Sequence, residues 1–135
     1  MAKPPVLASL TWTEALRFDV TSARISTVVD GDSNAGASPV QMLVIALAGC
    51  MAADVVDIVR KGRHPFSGFR AEIVAERAPE PPTRVVNANL RFHIQGDVPP
   101  AAVERAIALS RDKYCSVWHS LRQDIQLTTA FDIIP

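Results

Sequence analysis

The stretch from Ser38 to Gly62, SPVQMLVIALAGCMAADVVDIVRKG, constrains this chain more than any other. Ser38 can accept a hydrogen bond from the free N–H groups of a first helical turn, and Pro39 suits the first helical position. At the far end Arg60 and Lys61 put cations at the negative pole of the helix dipole. Gly62 can then take the left-handed conformation that closes a helix. About twenty-three residues lie between these marks, a rod of roughly 34 Å at 1.5 Å per residue. From Met42 to Ala53 the rod is apolar nearly all round, which predicts that protein surrounds it. A single small domain rarely encloses a helix that long, so the pattern points to a second subunit covering part of it. The weakly polar run, Val40 to Ala53, spans about fourteen residues, short of the roughly twenty that cross a bilayer.

The flanks read as strands. PVLASLTWT sets Val6, Ala8, Leu10 and Trp12 on one face, and ALRFDVT sets Leu16, Phe18 and Val20 opposite Arg17 and Asp19. ARISTVVD adds a third segment through Ile25, Thr27 and Val29, followed by the polar loop DGDSNAGA. After the helix, FRAEIVAER and RVVNANLRFHIQG alternate apolar and polar side chains around the short, Pro-rich APEPPT, which predicts an antiparallel hairpin. DVPPAAVERAIALSRDKYC predicts a second helix ending at Cys115, SVWHSLRQ a turn or short helix, and DIQLTTAFDII a last strand. The order βββ-α-ββ-α-β predicts an α+β domain, an antiparallel sheet packed on two helices with one helix central.

With 135 residues the chain suits one domain, residues 1–135. Its formal net charge is zero, so no overall field draws in nucleic acid or an anionic membrane. The N-terminus has no continuous apolar stretch of the kind a secretory signal carries, so a cytoplasmic location is expected. In that compartment two cysteines are expected to be free or redox-cycling, and their spacing matches no zinc pattern.

Those cysteines are the first candidates for chemistry. Cys50 lies in mid-helix between Gly49 and Met51, and free cysteine is also a common packing residue. Cys115 has Arg111, Lys113 and His119 nearby, and cations favour thiolate over thiol. A two-layer domain would lay the two helices side by side, and the pair could then form a sulfenic acid and condense to a disulfide. That requires Cα atoms within about 7 Å. Asp54 and Asp57 with Cys50 make a mixed thiolate and carboxylate set, which reads as a solvated helix face. His93 sits on the polar side of a strand, and His64 follows the helix end. His119 could serve as a base for Cys115. Trp12 and Trp118 suit a core, an interface or the lining of an apolar pocket.

GASPVQMLVIALAGCMAADVVDIVRKGR together with VERAIALSRDKYCSVWHSL resembles the OsmC/Ohr family, the osmotically inducible and organic-hydroperoxide-resistance proteins, in a divergent OsmC-like branch. The resemblance extends over nearly the whole chain. It implies an OsmC-like fold with antiparallel sheets packed around a long central helix, in an intertwined homodimer with active sites at the subunit interface. It also implies a thiol-dependent peroxidase without metal, haem or other cofactor. By motif position Cys50 would be the peroxidatic residue and Cys115 the resolving one, with a thiol or dithiol reductant restoring the pair. Active members carry a Glu directly after the Pro of this helix, paired with an Arg beside the thiolate. Here that position is Val40, and the next residue, Gln41, offers only a neutral hydrogen bond. Arg17 and Arg24 lie where the family places the Arg. The candidate catalytic residues are thus Cys50, Cys115, Arg17 and Gln41. The alternative is an OsmC-like protein without peroxidase activity that binds a small apolar or electrophilic ligand. A third reading is a structural dimer in which both cysteines only pack.

Overall fold

The computed structural model describes residues 2–135. The chain divides into two compact units, Met1–Leu43 and Val44–Pro135.

The first unit is a three-stranded antiparallel sheet, β1 (Ser9–Glu14), β2 (Arg17–Ser22) and β3 (Ile25–Asp30), in the order β1-β2-β3. Its register places Trp12, Phe18 and Val29 in one cross-strand row and Leu10, Val20 and Thr27 in the next. Directly opposed residues share a face, so these rows form the apolar side. On that side Val29 is buried, whereas Trp12 is 63% exposed and Leu10 56%.

Helix α1 (Pro39–Lys61) begins in this unit and runs into the second. Its start is a capping box. The Gln41 N–H donates to Ser38 Oγ (3.2 Å), and the Ser38 N–H donates to Gln41 Oε1 (2.8 Å).

The second unit carries the hydrophobic core. Strands β4 (Phe66–Arg77) and β5 (Val85–Gly96) form the expected antiparallel hairpin. Helix α2 (Pro100–Leu109), a π-helical turn (Ser110–Tyr114) and the single turn α3 (Ser116–His119) follow, and β6 (Gln126–Ile134) completes the sheet. β6 lies parallel to β5, so the sheet is mixed where the sequence predicts an antiparallel one. The physical reason is the connection: a chain that leaves one strand end, crosses through helices and returns re-enters in the same direction. Ala71, Phe92 and Phe131 form one apolar row, and Phe69, Ile94 and Ile133 the next. On them pack α1 through Leu47, Met51, Val55 and Val59, and α2 through Val103, Ala106 and Ile107.

The i, i+4 spacing of those α1 residues makes a stripe along one side of the helix. The other side is bare in the isolated chain, with Ile45 59% exposed and open space above Gly49. α1 is long and apolar enough to cross a membrane by length and composition, but its stripe is built into the core of a folded unit.

The capping box gives a direct test. Ser38→Ala and Gln41→Ala should each lower stability by about 1 kcal/mol, seen as a shift in urea midpoint without a change in slope.

Candidate functional site

Cys50 and Asp54 are one turn apart on α1 and so share a helix face beside the buried stripe. Cys50 is half-buried and Cys115 fully buried, and both are free thiols. Cys50 lies close enough to Cys115 to raise its thiol, so residues some sixty-five positions apart in sequence act on each other in the fold.

The π-helical turn delivers Cys115 to that position. A regular α-helix would bond the Cys115 N–H to the carbonyl four residues back. Here the N–H donates to the Ser110 carbonyl, five residues back, at 2.8 Å. Such turns insert an extra residue into a helix and recur at functional sites. Cys115 then caps α3, its Sγ accepting the Trp118 N–H at 3.3 Å. The Arg111 guanidinium lies 5.9 Å from the centre of the Trp118 ring. Ser110 is fully buried, and its hydroxyl donates to Asp54 Oδ2 at 2.8 Å.

Burial pushes the Cys115 thiol up to about 11. The Trp118 N–H acts the other way, but the neighbouring Cys50 and the Asp54 carboxylate reinforce the rise. Cys115 is therefore the protonated partner at neutral pH. The basic neighbours noted in the sequence do not reverse this: Arg111 stacks on Trp118, Lys113 lies 5.2 Å from the Tyr114 ring centre, and His119 is exposed.

A cleft of about 600 Å³ opens beside Asp54, with Asp57, Lys61, Arg105 and Tyr114 on its walls. Asp57 is exposed and accepts a hydrogen bond from Lys61 Nζ at 2.8 Å. Asp54 is half-buried and held by Ser110, in place of the fully solvated residue the sequence pattern predicts. This Asp54–Ser110 pair is the part of the site that sequence reasoning missed. Its one visible signal was the four-residue spacing of Cys50 and Asp54.

Arg17 and Gln41 are engaged within the first unit. Arg17 faces Asp30 across β2 and β3, with Nε 3.3 Å from its carboxylate, and Nη1 donates to Glu14 Oε1 at 3.2 Å. Asp30 is fully buried and gathers the N–H groups of Asp32 (2.8 Å), Asn34 (3.1 Å) and Ala35 (2.8 Å). Those N–H groups, Ala35 first, and the Arg17 charge hold its carboxyl below the usual value. Gln41 completes the capping box and also accepts from the Ser33 hydroxyl. Arg24 is exposed in the β2–β3 turn.

Of the histidines, His93 is tied up on the outer sheet face, bonded to Glu72 Oε1 (2.6 Å) and Asp132 Oδ1 (2.9 Å). Trp118 is a core residue, whereas Trp12 is exposed. Among the described residues no group of three or more His, Cys, Asp or Glu side chains is arranged to hold a metal ion.

Comparison with known proteins bears on this arrangement. A family model described as OsmC-like protein matches residues 30–130. Protein YhfA of Escherichia coli strain K12 is 37% identical over 130 residues, covering 94% of this chain and 97% of its own. An OsmC-like protein from Mycoplasma pneumoniae superposes with a TM-score of 0.85 at 13% identity, covering 99% of this chain and 100% of its own. An organic hydroperoxide resistance protein OsmC from Legionella pneumophila gives 0.72 at 11% identity, covering 98% and 99%.

Three outcomes are expected from these geometries. In the reduced protein the raised Cys115 thiol contributes stability below the ordinary thiol range, and that contribution is lost as pH rises from about 9 toward about 11. Chemical denaturation across that window should show the loss, and Cys115→Ser should lack it. At mildly alkaline pH, iodoacetamide should label Cys50 well before Cys115, read by peptide mass spectrometry. For Asp30 the sign is opposite. Its contribution is present above about 3.9 and lost as pH falls through the lowered folded value. The protection of the Asp32, Asn34 and Ala35 amides against hydrogen exchange, relative to their intrinsic rates, should fall on acidification, and Asp30→Asn should abolish that step.

Proposed function

The chain belongs to the OsmC-like family, and from that premise we propose that it is a thiol-dependent peroxidase working by a two-cysteine cycle. The observation that carries this reading is the nearness of a half-buried Cys50 to a fully buried Cys115, close enough to raise its thiol. Accessibility makes Cys50 the sulfur that meets substrate. Cys115, with its thiol at about 11, is ionised in roughly one molecule in ten thousand at pH 7. The Cys50 thiolate attacks the terminal oxygen of a hydroperoxide, and the O–O bond breaks. An alcohol leaves after protonation, and Cys50 becomes a sulfenic acid. Cys115 then attacks the Cys50 sulfur, water departs and the disulfide forms. A thiol or dithiol reductant returns both residues to thiols.

Arg17 and Gln41 enter this reading in the supporting roles that the resemblance assigns, stabilising the thiolate and hydrogen-bonding near it. We further propose that the working form is a cytoplasmic homodimer. Supporting this are the bare apolar side of α1 around Ile45 and the exposed Trp12 and Leu10 of the first sheet. Exposed apolar side chains of this kind mark interaction sites.

A second reading is favoured by two specific observations. The position of the family Glu is Val40, and Arg17 already has two carboxylate partners in Asp30 and Glu14. On that reading the protein binds a small apolar or electrophilic ligand without turning over peroxide.

Cumene hydroperoxide separates the two. The peroxidase reading expects loss of both titratable thiols in wild type, no peroxide consumption by Cys50→Ser, and a single turnover ending in sulfenic acid for Cys115→Ser. Two thiols still titratable after excess peroxide would exclude it. Saturable ligand-induced rises in Tm without peroxide loss would then support the binding reading. Sedimentation equilibrium should return twice the chain mass, and a monomer would refute the dimer.

A further inference from the structure

Ser110 has no part in that cycle, yet it is fully buried and bonded in two directions. Its hydroxyl donates to Asp54 Oδ2 and its carbonyl accepts the Cys115 N–H, each at 2.8 Å. Asp54 in turn stands one helical turn beyond Cys50, whose nearness raises the Cys115 thiol. Three links thus tie Cys115 to the helix of Cys50: along α1 from Cys50 to Asp54, across to Ser110, and through the π-helical turn to Cys115. A buried hydroxyl costs stability unless it is bonded, so this partnership is specific to the folded arrangement. It also fixes the register of the π-helical turn against α1, because the same residue holds both.

We infer that Asp54 and Ser110 are positioning residues for Cys115, holding its sulfur in line with Cys50 for the disulfide-forming step. The inference rests on the two-cysteine reading above. In that step the Cys115 S–H bond gives up its proton and the sulfur attacks Cys50. The new S–S bond forms as the Cys50 S–O bond breaks, and the departing hydroxide takes a proton to leave as water. Asp54 has a second influence. Its negative charge faces the Cys115 thiol from α1, while on the thiol's own segment Arg111 and Lys113 lie over aromatic rings and His119 is exposed. The carboxylate therefore delays ionisation of Cys115 and keeps attack on the substrate with Cys50.

Oxidised glutathione tests this without any hydroperoxide. It forms a mixed disulfide with Cys50, releasing one glutathione, and Cys115 then displaces the second. Mass spectrometry follows both species across neutral and alkaline pH in the full-length protein. Ser110→Ala and Asp54→Ala should accumulate the mixed disulfide and close it roughly ten- to a hundredfold more slowly. Asp54→Asn keeps an oxygen acceptor for Ser110 but loses the charge. On the alkaline plateau it should close at close to the wild-type rate, with its pH midpoint moved to lower pH. A structural role alone would not move that midpoint. Folded Ser110→Ala or Asp54→Ala closing as fast as wild type would overturn the inference. So would an unshifted midpoint in Asp54→Asn, which stays readable if the alanine variants do not fold. Wild type that never forms the Cys50–Cys115 disulfide would overturn it too. Wild type that closes with glutathione but consumes no hydroperoxide sinks the peroxidase reading alone.

Discussion

Four side chains one turn apart on α1, Leu47, Met51, Val55 and Val59, seat that helix on the apolar face of β4, β5 and β6. Fully burying each stabilises the fold by about 1.5–3 kcal/mol, so together they outweigh any single polar contact in the second unit. Everything at the cysteine site follows from this seating. With the stripe turned inward, the neighbouring face carrying Cys50 and Asp54 is turned toward the segment that follows α2. The hydrogen bonds there refine a placement that hydrophobic packing has already made. Trp118 contributes from the other side, since it is itself part of the core while its N–H reaches Cys115.

The first unit is held by a different kind of force. Among its described residues Val29 and Asp30 are buried, and Asp30, fully so, is a carboxylate. Its three backbone donors and Arg17 organise the loop from Asp30 to Ala37, and Gln41 fastens that loop's end to the start of α1. Arg17 and Gln41 therefore have structural duties whatever else they do. Their polar character, which drew attention in the sequence, is accounted for locally by these bonds.

The elements were legible wherever a strong period or an explicit stop marked them. Ser38-Pro39 and Gly62 bracket α1 correctly, and the alternation around APEPPT marks the hairpin of β4 and β5. The direction of β6 was not legible, because DIQLTTAFDII alternates in the same way whether its neighbour runs parallel or antiparallel. The π-helical turn was invisible for a similar reason, as SRDKY continues the helical spacing of α2 and the extra residue shows only in its hydrogen bonds. Asp54 looked like a solvated carboxylate because its partner, Ser110, lies 56 residues away. The expectation of a surrounded α1 included a second subunit covering part of it; the chain's own core takes the stripe from Leu47 to Val59.

The parallel placement of β6 has a consequence for how the thiol pair comes into being. Cys115 lies inside the crossover between β5 and β6, and its companion lies on a helix that precedes the hairpin. No local contact brings them near each other, and closing so long a loop is slow until the tertiary structure supports it. A nascent or partly denatured chain therefore carries two separate sulfhydryls. They become neighbours only as the second unit folds.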